Sequence, residues 1–158
     1  ANRFSSRASL PHKVRVADLN GDGRLDIAVS HCFTSDSVVI FFGDAEPSFA
    51  FSTSQEIAMN SNDNRQSVDD EIRDLLVRDF NGDGRIDFAA ACYASRRVCV
   101  FLNESNGPAI PLRFRRETYS FKDARPRALA AADFNADGKI DLAVALWEAN
   151  AVALLLAN

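Results

Sequence analysis

One nine-residue phrase occurs three times in this 158-residue chain. Asp18-Leu19-Asn20-Gly21-Asp22-Gly23-Arg24-Leu25-Asp26 returns as Asp79-Phe80-Asn81-Gly82-Asp83-Gly84-Arg85-Ile86-Asp87. It returns again as Asp133-Phe134-Asn135-Ala136-Asp137-Gly138-Lys139-Ile140-Asp141. Each copy carries side-chain oxygens at positions 1, 3, 5 and 9, and a glycine at position 6. An all-oxygen set suits a hard cation, and calcium, which takes about 6–8 oxygens in a tolerant geometry, is the best match. The expected ligands are Asp18, Asn20, Asp22 and Asp26 with the Arg24 carbonyl; Asp79, Asn81, Asp83 and Asp87 with the Arg85 carbonyl; and Asp133, Asn135, Asp137 and Asp141 with the Lys139 carbonyl. The expectation is three Ca2+ per chain. Gly23, Gly84 and Gly138 are expected at positive φ, where glycine meets no steric penalty. Ala136 replaces a glycine at position 4, which supplies no side-chain ligand. Each loop holds three carboxylates that repel one another, so a bound cation would stabilise the fold by mass action.

An EF-hand loop opens in the same way but needs a glutamate at position 12 and helices on both sides. Position 12 here is Val29, Ala90 or Val144, and each loop runs directly into an apolar, strand-like segment. The EF-hand and dockerin readings therefore fail.

The flanks repeat as well. An apolar segment precedes each loop: Val14–Ala17, Leu75–Arg78 and Leu129–Ala132. A second apolar segment follows it, and after a polar break comes a third: Val38–Phe42, Val98–Leu102 and Val152–Leu156. A fourth, more polar stretch begins near Phe49–Phe51 and again near Phe114. Four short strands per unit predict an all-β fold of propeller blades. These loops and strands resemble the FG-GAP / VCBS-type repeats, the blades of integrin-alpha-like calcium-binding β-propellers. Of the Phe-Gly signature only Phe42-Gly43 is present. The resemblance implies that each loop joins the first two strands of a blade and that its calcium is chiefly structural.

The expected organisation is a single repeat domain over 1–158. Residues 1–10 form a fourth strand for a closing blade, 11–59 blade 1, 60–71 an insertion, 72–122 blade 2, and 123–158 a blade 3 without its own fourth strand. Three blades are too few to close a ring, since propellers use about four to eight. Two chains would supply six, with each N-terminal strand completing the partner's last blade. The function expected is a calcium-stabilised binding or scaffold module, assembled as a homodimer. The alternatives are a lectin-type propeller and a fragment of a larger propeller adhesin or enzyme.

The formal net charge of −4 conceals nine acids committed to the loops. Outside the loops the chain is mildly basic, and three bound calcium ions would make the total positive. No interleaved aromatic platform points to nucleic acid, and no apolar run is long enough to span a membrane. The partners expected are therefore the chain itself and a glycan or extracellular protein. The location expected is secreted or cell-surface.

Tyr93 and Trp147 occupy equivalent places, six residues past the last Asp of their loops, where Cys32 stands in the first unit. They are candidate platforms for a sugar, or else packing residues between blades. A two-residue turn at Ser95-Arg96 would set Cys92 opposite Cys99, and one at Ala149-Asn150 would set Leu146 opposite Ala153. Asn103-Glu104-Ser105 is a glycosylation sequon. His31 reads as a packed, hydrogen-bonded residue and His12 as exposed. No nucleophile elbow, zinc motif or phosphate-binding loop is present, so no enzyme is expected.

Overall fold

Strands of five to seven residues, the first and second of each sheet joined by an Asn/Gly/Asp-type loop, form antiparallel sheets in a computed structural model that describes residues 4–32, 36–45, 51–59 and 70–157. The first sheet holds β1 (Pro11–Ala17), β2 (Asp26–His31), β3 (Ser37–Phe42) and β4 (Thr53–Ala58), in that order. The second holds β5 (Ile72–Arg78), β6 (Asp87–Cys92), β7 (Arg97–Asn103) and β8 (Phe114–Ser120). The third holds β9 (Pro126–Ala132), β10 (Asp141–Leu146) and β11 (Ala151–Leu155). Among the described residues there is no helix. The chain is all-β, with three sheets arranged as propeller blades that do not by themselves close a ring.

The first strands β1, β5 and β9 lie side by side at the inner edge. Asp74 of β5 ties them together. Its Oδ1 accepts from the Arg15 guanidinium of β1 at 3.1 Å, and its Oδ2 accepts from the Leu129 amide of β9 at 2.9 Å.

The second sheet is covered on both faces. Every residue of β6 is buried, which explains why it reads as a continuous apolar run rather than an alternation. One face places Phe88, Ala90, Cys99 and Phe101 against Ala28, Val38, Ile40 and Phe42 of the first sheet. Phe88 and Phe101 stack there with centroids 4.4 Å apart, and Phe114 meets Phe88 edge-on. The other face places Ala89, Val98, Val100 and Leu102 against Leu129, Leu142 and Val144 of the third sheet. The small alanines of β6 allow neighbouring sheets to approach closely on both sides.

Several sequence expectations need correction. Cys92 pairs with Arg97, and Cys99 pairs with Ala90, across a four-residue turn at 93–96. The two cysteines are diagonal neighbours on one face, free, with Sγ atoms 4.0 Å apart. In the third sheet Leu146 pairs with Ala151, not Ala153, across a matching turn at 147–150. The turns end on Arg96 at φ 57° and Asn150 at φ 49°. A non-glycine residue in the left-handed region closes each turn and lengthens it beyond the two residues expected. The fourth strand of the first sheet starts at Thr53, after Phe51. In the single chain residues 4–6 have no regular structure and residues 7–10 form bends. Phe4 packs on Phe41 at 5.2 Å and Phe51 at 5.3 Å, covering the outer face of the first sheet together with Ala8. Residues 60–69 of the insertion lie outside the described residues.

Candidate metal loops and a cationic pocket

Each nine-residue loop joins the first two strands of its sheet, running from the end of β1, β5 or β9 to the first residue of β2, β6 or β10. The first aspartate organises the loop. Asp18 Oδ1 accepts from the amides of Gly21 at 2.8 Å and Asp22 at 3.1 Å, and its Oδ2 accepts from Gly23 at 2.8 Å. Asp79 makes the same three contacts with Gly82, Asp83 and Gly84. Asp133 keeps two of them, with Asp137 at 3.1 Å and Gly138 at 2.8 Å. Gly23, Gly84 and Gly138 stand at φ 84°, 83° and 86°, as a glycine at position 6 anticipates. Ala136 adopts φ 61°, near the 74° of Gly21 and Gly82, so the third loop holds an alanine in a conformation that disfavours one.

Positions 3 and 5 turn inward in the same way three times. The Oδ1 atoms of Asn20, Asn81 and Asn135 accept from the amides of Asp22, Asp83 and Asp137, each at 3.1 Å. Asn20 Nδ2 reaches Asp22 at 2.9 Å, and the Arg24 guanidinium also engages Asp22. Arg85 contacts Asp83 likewise, while its Nε donates to the Asn103 carbonyl at 2.6 Å. Arg24 Nε donates to Gly43 at 2.8 Å. The position-7 side chains thus pin two loops to the ends of β3 and β7, a role that the sequence reading, which used only their carbonyls, missed.

The ninth residue does more than was expected of it. Asp26, Asp87 and Asp141 are fully buried. One oxygen of each accepts from an amide at the start of its own loop: Leu19 at 2.8 Å, Phe80 at 2.8 Å and Phe134 at 3.0 Å. The other accepts from the far end of the sheet: Gly43 at 2.9 Å, Asn103 at 2.7 Å and Ala157 at 2.9 Å. Each carboxylate therefore clamps the loop to the end of the third strand. Burial raises the pKa of Asp26 and Asp87, opposed by these amide hydrogen bonds. The signal was a carboxylate opening a buried apolar strand, which must find partners. For Asp137 the Lys139 amide and the Asn135 side chain lower the pKa.

The donor chemistry fits a hard cation, because oxygens alone supply it and the loop backbone is already turned by its own side chains. Among the described residues, no three His, Cys, Asp or Glu side chains converge as a ready-made metal cluster. The Asn20 and Arg24 contacts to Asp22 are the ones a cation would replace.

At the opposite ends of the inner strands lies a pocket of about 650 Å³ lined by His12, Lys13, Arg73, Arg127 and Trp147 among others. Tyr93 and Trp147 are not bare platforms. Arg127 lies over the Trp147 ring at 4.4 Å, and Arg73 and Arg125 lie 5.1 Å and 5.2 Å from the Tyr93 ring centre. Arg125 pairs with Glu148 at 3.0 Å, and Arg73 pairs with Glu71 at 2.5 Å.

The remaining sequence candidates fall elsewhere. His31 is fully buried, and neither ring nitrogen has a hydrogen-bond partner among the described residues. Burial lowers its pKa. Asn103 of the sequon is 2 % exposed, with Nδ2 donating to the Leu19 and Ile86 carbonyls at 2.9 Å and 3.2 Å. In the folded chain that amide is inaccessible to glycosylation.

Antiparallel sheets of three or four strands stacked face to face, with their first strands adjacent, define an all-β protein of blade-type repeats. Residues 79–144 match the family model of the FG-GAP-like repeat. The matched span runs from the second loop through the second sheet to β10 of the third. No curated protein matches the chain. No helix is long and apolar enough to cross a membrane among the described residues.

Proposed function

We propose that the chain is a calcium-stabilised β-propeller module serving as a rigid binding scaffold, secreted or displayed at a cell surface. The observation that carries this reading is the threefold recurrence of one oxygen-rich loop between the first and second strands of a sheet. Asp18, Asp79 and Asp133 fold each loop around the same core of amide contacts. In the proposal the aspartates and asparagines of positions 1, 3 and 5 hold Ca2+ with the position-7 carbonyl, and the clamped ninth aspartate contributes from below. A bound ion contributes positive charge where three carboxylates repel. At a concentration of 100 times its Kd, each site adds roughly 2.7 kcal/mol to stability.

A second copy is the proposed partner. The downstream face of the third sheet presents Ala130, Ala143, Val152 and Leu154, and Val152 and Leu154 are 66 % and 53 % exposed. The positions matching Ala143 and Leu154 are Ala28 and Ile40 in the first sheet, and Ala89 and Val100 in the second. Those pairs form the two sheet-to-sheet contacts within the chain. The face is thus of the kind that receives another blade, and the first sheet of a second copy offers Val29, Val39 and Phe41 as the counterpart. On assembly the segment around Phe4 and Ala8 leaves that surface and pairs with the partner's β11 edge, giving six blades.

Thermal unfolding and light scattering, each in calcium and in chelator, test this reading. The expected result is a melting temperature lowered by chelator, and twice the chain mass in calcium. An unchanged melting temperature overturns the calcium reading, and a monomer in calcium overturns the assembly.

A further inference from the structure

The cationic pocket is built by the repeat and not by chance placement. His12, Arg73 and Arg127 each stand fourteen residues before the last aspartate of their loop. Each is the second residue of its inner strand, β1, β5 or β9. The aromatic partners Tyr93 and Trp147 also share one position, six residues after that aspartate. The second and third sheets therefore form the same stack, Arg73 on Tyr93 and Arg127 on Trp147. Stacking on a ring fixes the plane of a guanidinium so that its donor edge can meet a planar anion, as Arg73 already meets Glu71.

All three sheets contribute to the cavity: His12 and Lys13 from the first, Arg73 from the second, Arg127 and Trp147 from the third. Lys13 and Arg127 take part in no salt bridge among the described residues. Glu148 also lines the cavity, but Arg125 neutralises it. The pocket carries excess positive charge in a volume of about 650 Å³, the size of small-ligand sites generally. Trp147 is 56 % exposed, so ring surface remains beside the cations.

The geometry points to a binding site for a small oxyanion-bearing ligand, a carboxylated or sulfated saccharide. Arg127 and Lys13 hold the anionic group, with Arg73 beside them already paired to Glu71, and Trp147 lies against the sugar ring. A neutral sugar offers Lys13 and Arg127 no counter-charge and gains little. The site lies at the end of the inner strands opposite the metal loops and does not depend on a cation in them.

Trp147 is the chain's one tryptophan, so its fluorescence reports on this pocket alone. The protein in calcium is titrated with a uronic-acid disaccharide, with the neutral disaccharide of the same size, and with sodium sulfate. The expected result is a saturable change with the acidic sugar, a midpoint that weakens as salt is added, and no saturation with the neutral sugar. Sulfate saturating at the same midpoint assigns recognition to the oxyanion alone. A much weaker sulfate midpoint assigns part of it to the sugar ring. The double variant Lys13→Gln/Arg127→Gln is expected to weaken binding at least about tenfold, while Arg113→Gln on β7's outer connection leaves it unchanged. Calorimetric titration provides the midpoint if removing Arg127 alters the fluorescence itself. No saturable response, an equal response to the neutral sugar, or an unchanged midpoint in the double variant overturns the site. A melting temperature indifferent to chelator with acidic-sugar binding intact would remove the calcium reading and leave this one standing.

Discussion

Asn103, at the end of β7, donates its side-chain amide to the Leu19 carbonyl of the first nine-residue loop at 2.9 Å, joining the second blade to a loop of the first. The same amide reaches Ile86 of the second loop, and Asn103 Oδ1 accepts from Ser105 at 3.1 Å. One buried side chain thus couples two loops and the edge of a strand. Asn103→Ala leaves two loop carbonyls with fewer partners and is expected to cost about 2 kcal/mol. Urea unfolding checks it: the midpoint falls with an unchanged slope. The folded protein, expressed where glycans are added, is expected to show no glycan mass on Asn103.

The ninth aspartates act as clamps as well as candidate ligands, and the two roles separate in chelator. Asp87 holds Phe80 and Asn103 amides through different oxygens. Asp87→Ala removes two charge-assisted hydrogen bonds inside a buried site and is expected to cost about 3 kcal/mol. The loss persists in chelator. Asn81→Ala, at position 3, is expected to destabilise chiefly in calcium. Paired denaturation curves in calcium and in chelator check both.

His31 gives the fold an acid sensitivity. Burial lowers its folded pKa below the usual value of 6.5. The unfolded chain therefore binds the proton first as pH falls. Stability from neutral His31 is complete above about pH 6.5 and declines below it, until the folded pKa is also passed, at up to about 1.4 kcal/mol per pH unit. Asp26 and Asp87, with raised pKa values, act in the opposite direction. The measurement is therefore a difference: wild type minus His31→Leu, unfolded at several pH values from 7 to 5. The difference is expected to shrink or reverse toward low pH as the variant loses the sensitivity.

The three thiols are expected to be silent in the native state. Cys92 and Cys99 have no exposed surface and Cys32 has 3 %. The Cys99 pKa is lowered to about 7, first by its hydrogen bond with Cys92, but reagent access requires opening the contact between the first two blades. Alkylation followed by mass spectrometry is expected to label none under native conditions and all three after unfolding. Labelling of Cys99 in the native state would mean that the first two blades separate readily.

The blade strands were legible because burial imposes its period on sequence. β3 and β7, buried on both faces, read as unbroken apolar runs, and the loops between first and second strands read as punctuation. The hairpin registers were not legible, because Arg96 and Asn150 close four-residue turns without the glycine that usually marks left-handed positions. The alignment of Tyr93 with Trp147 was visible in sequence. Their arginine partners were not, since residues that far apart in the chain meet only when an inner strand is laid beside the second-strand end. The double hydrogen bonding of Asp26, Asp87 and Asp141 was hidden for the same reason: its second half comes from the end of β3, β7 or β11.

The stoichiometry of calcium binding tests the central claim most directly. Isothermal titration of the metal-free chain with calcium is expected to reach three ions per chain. The triple variant Asp18→Ala/Asp79→Ala/Asp133→Ala is expected to bind none. A chain that takes up no calcium while remaining folded would contradict the account, and so would one whose uptake is unchanged in that variant.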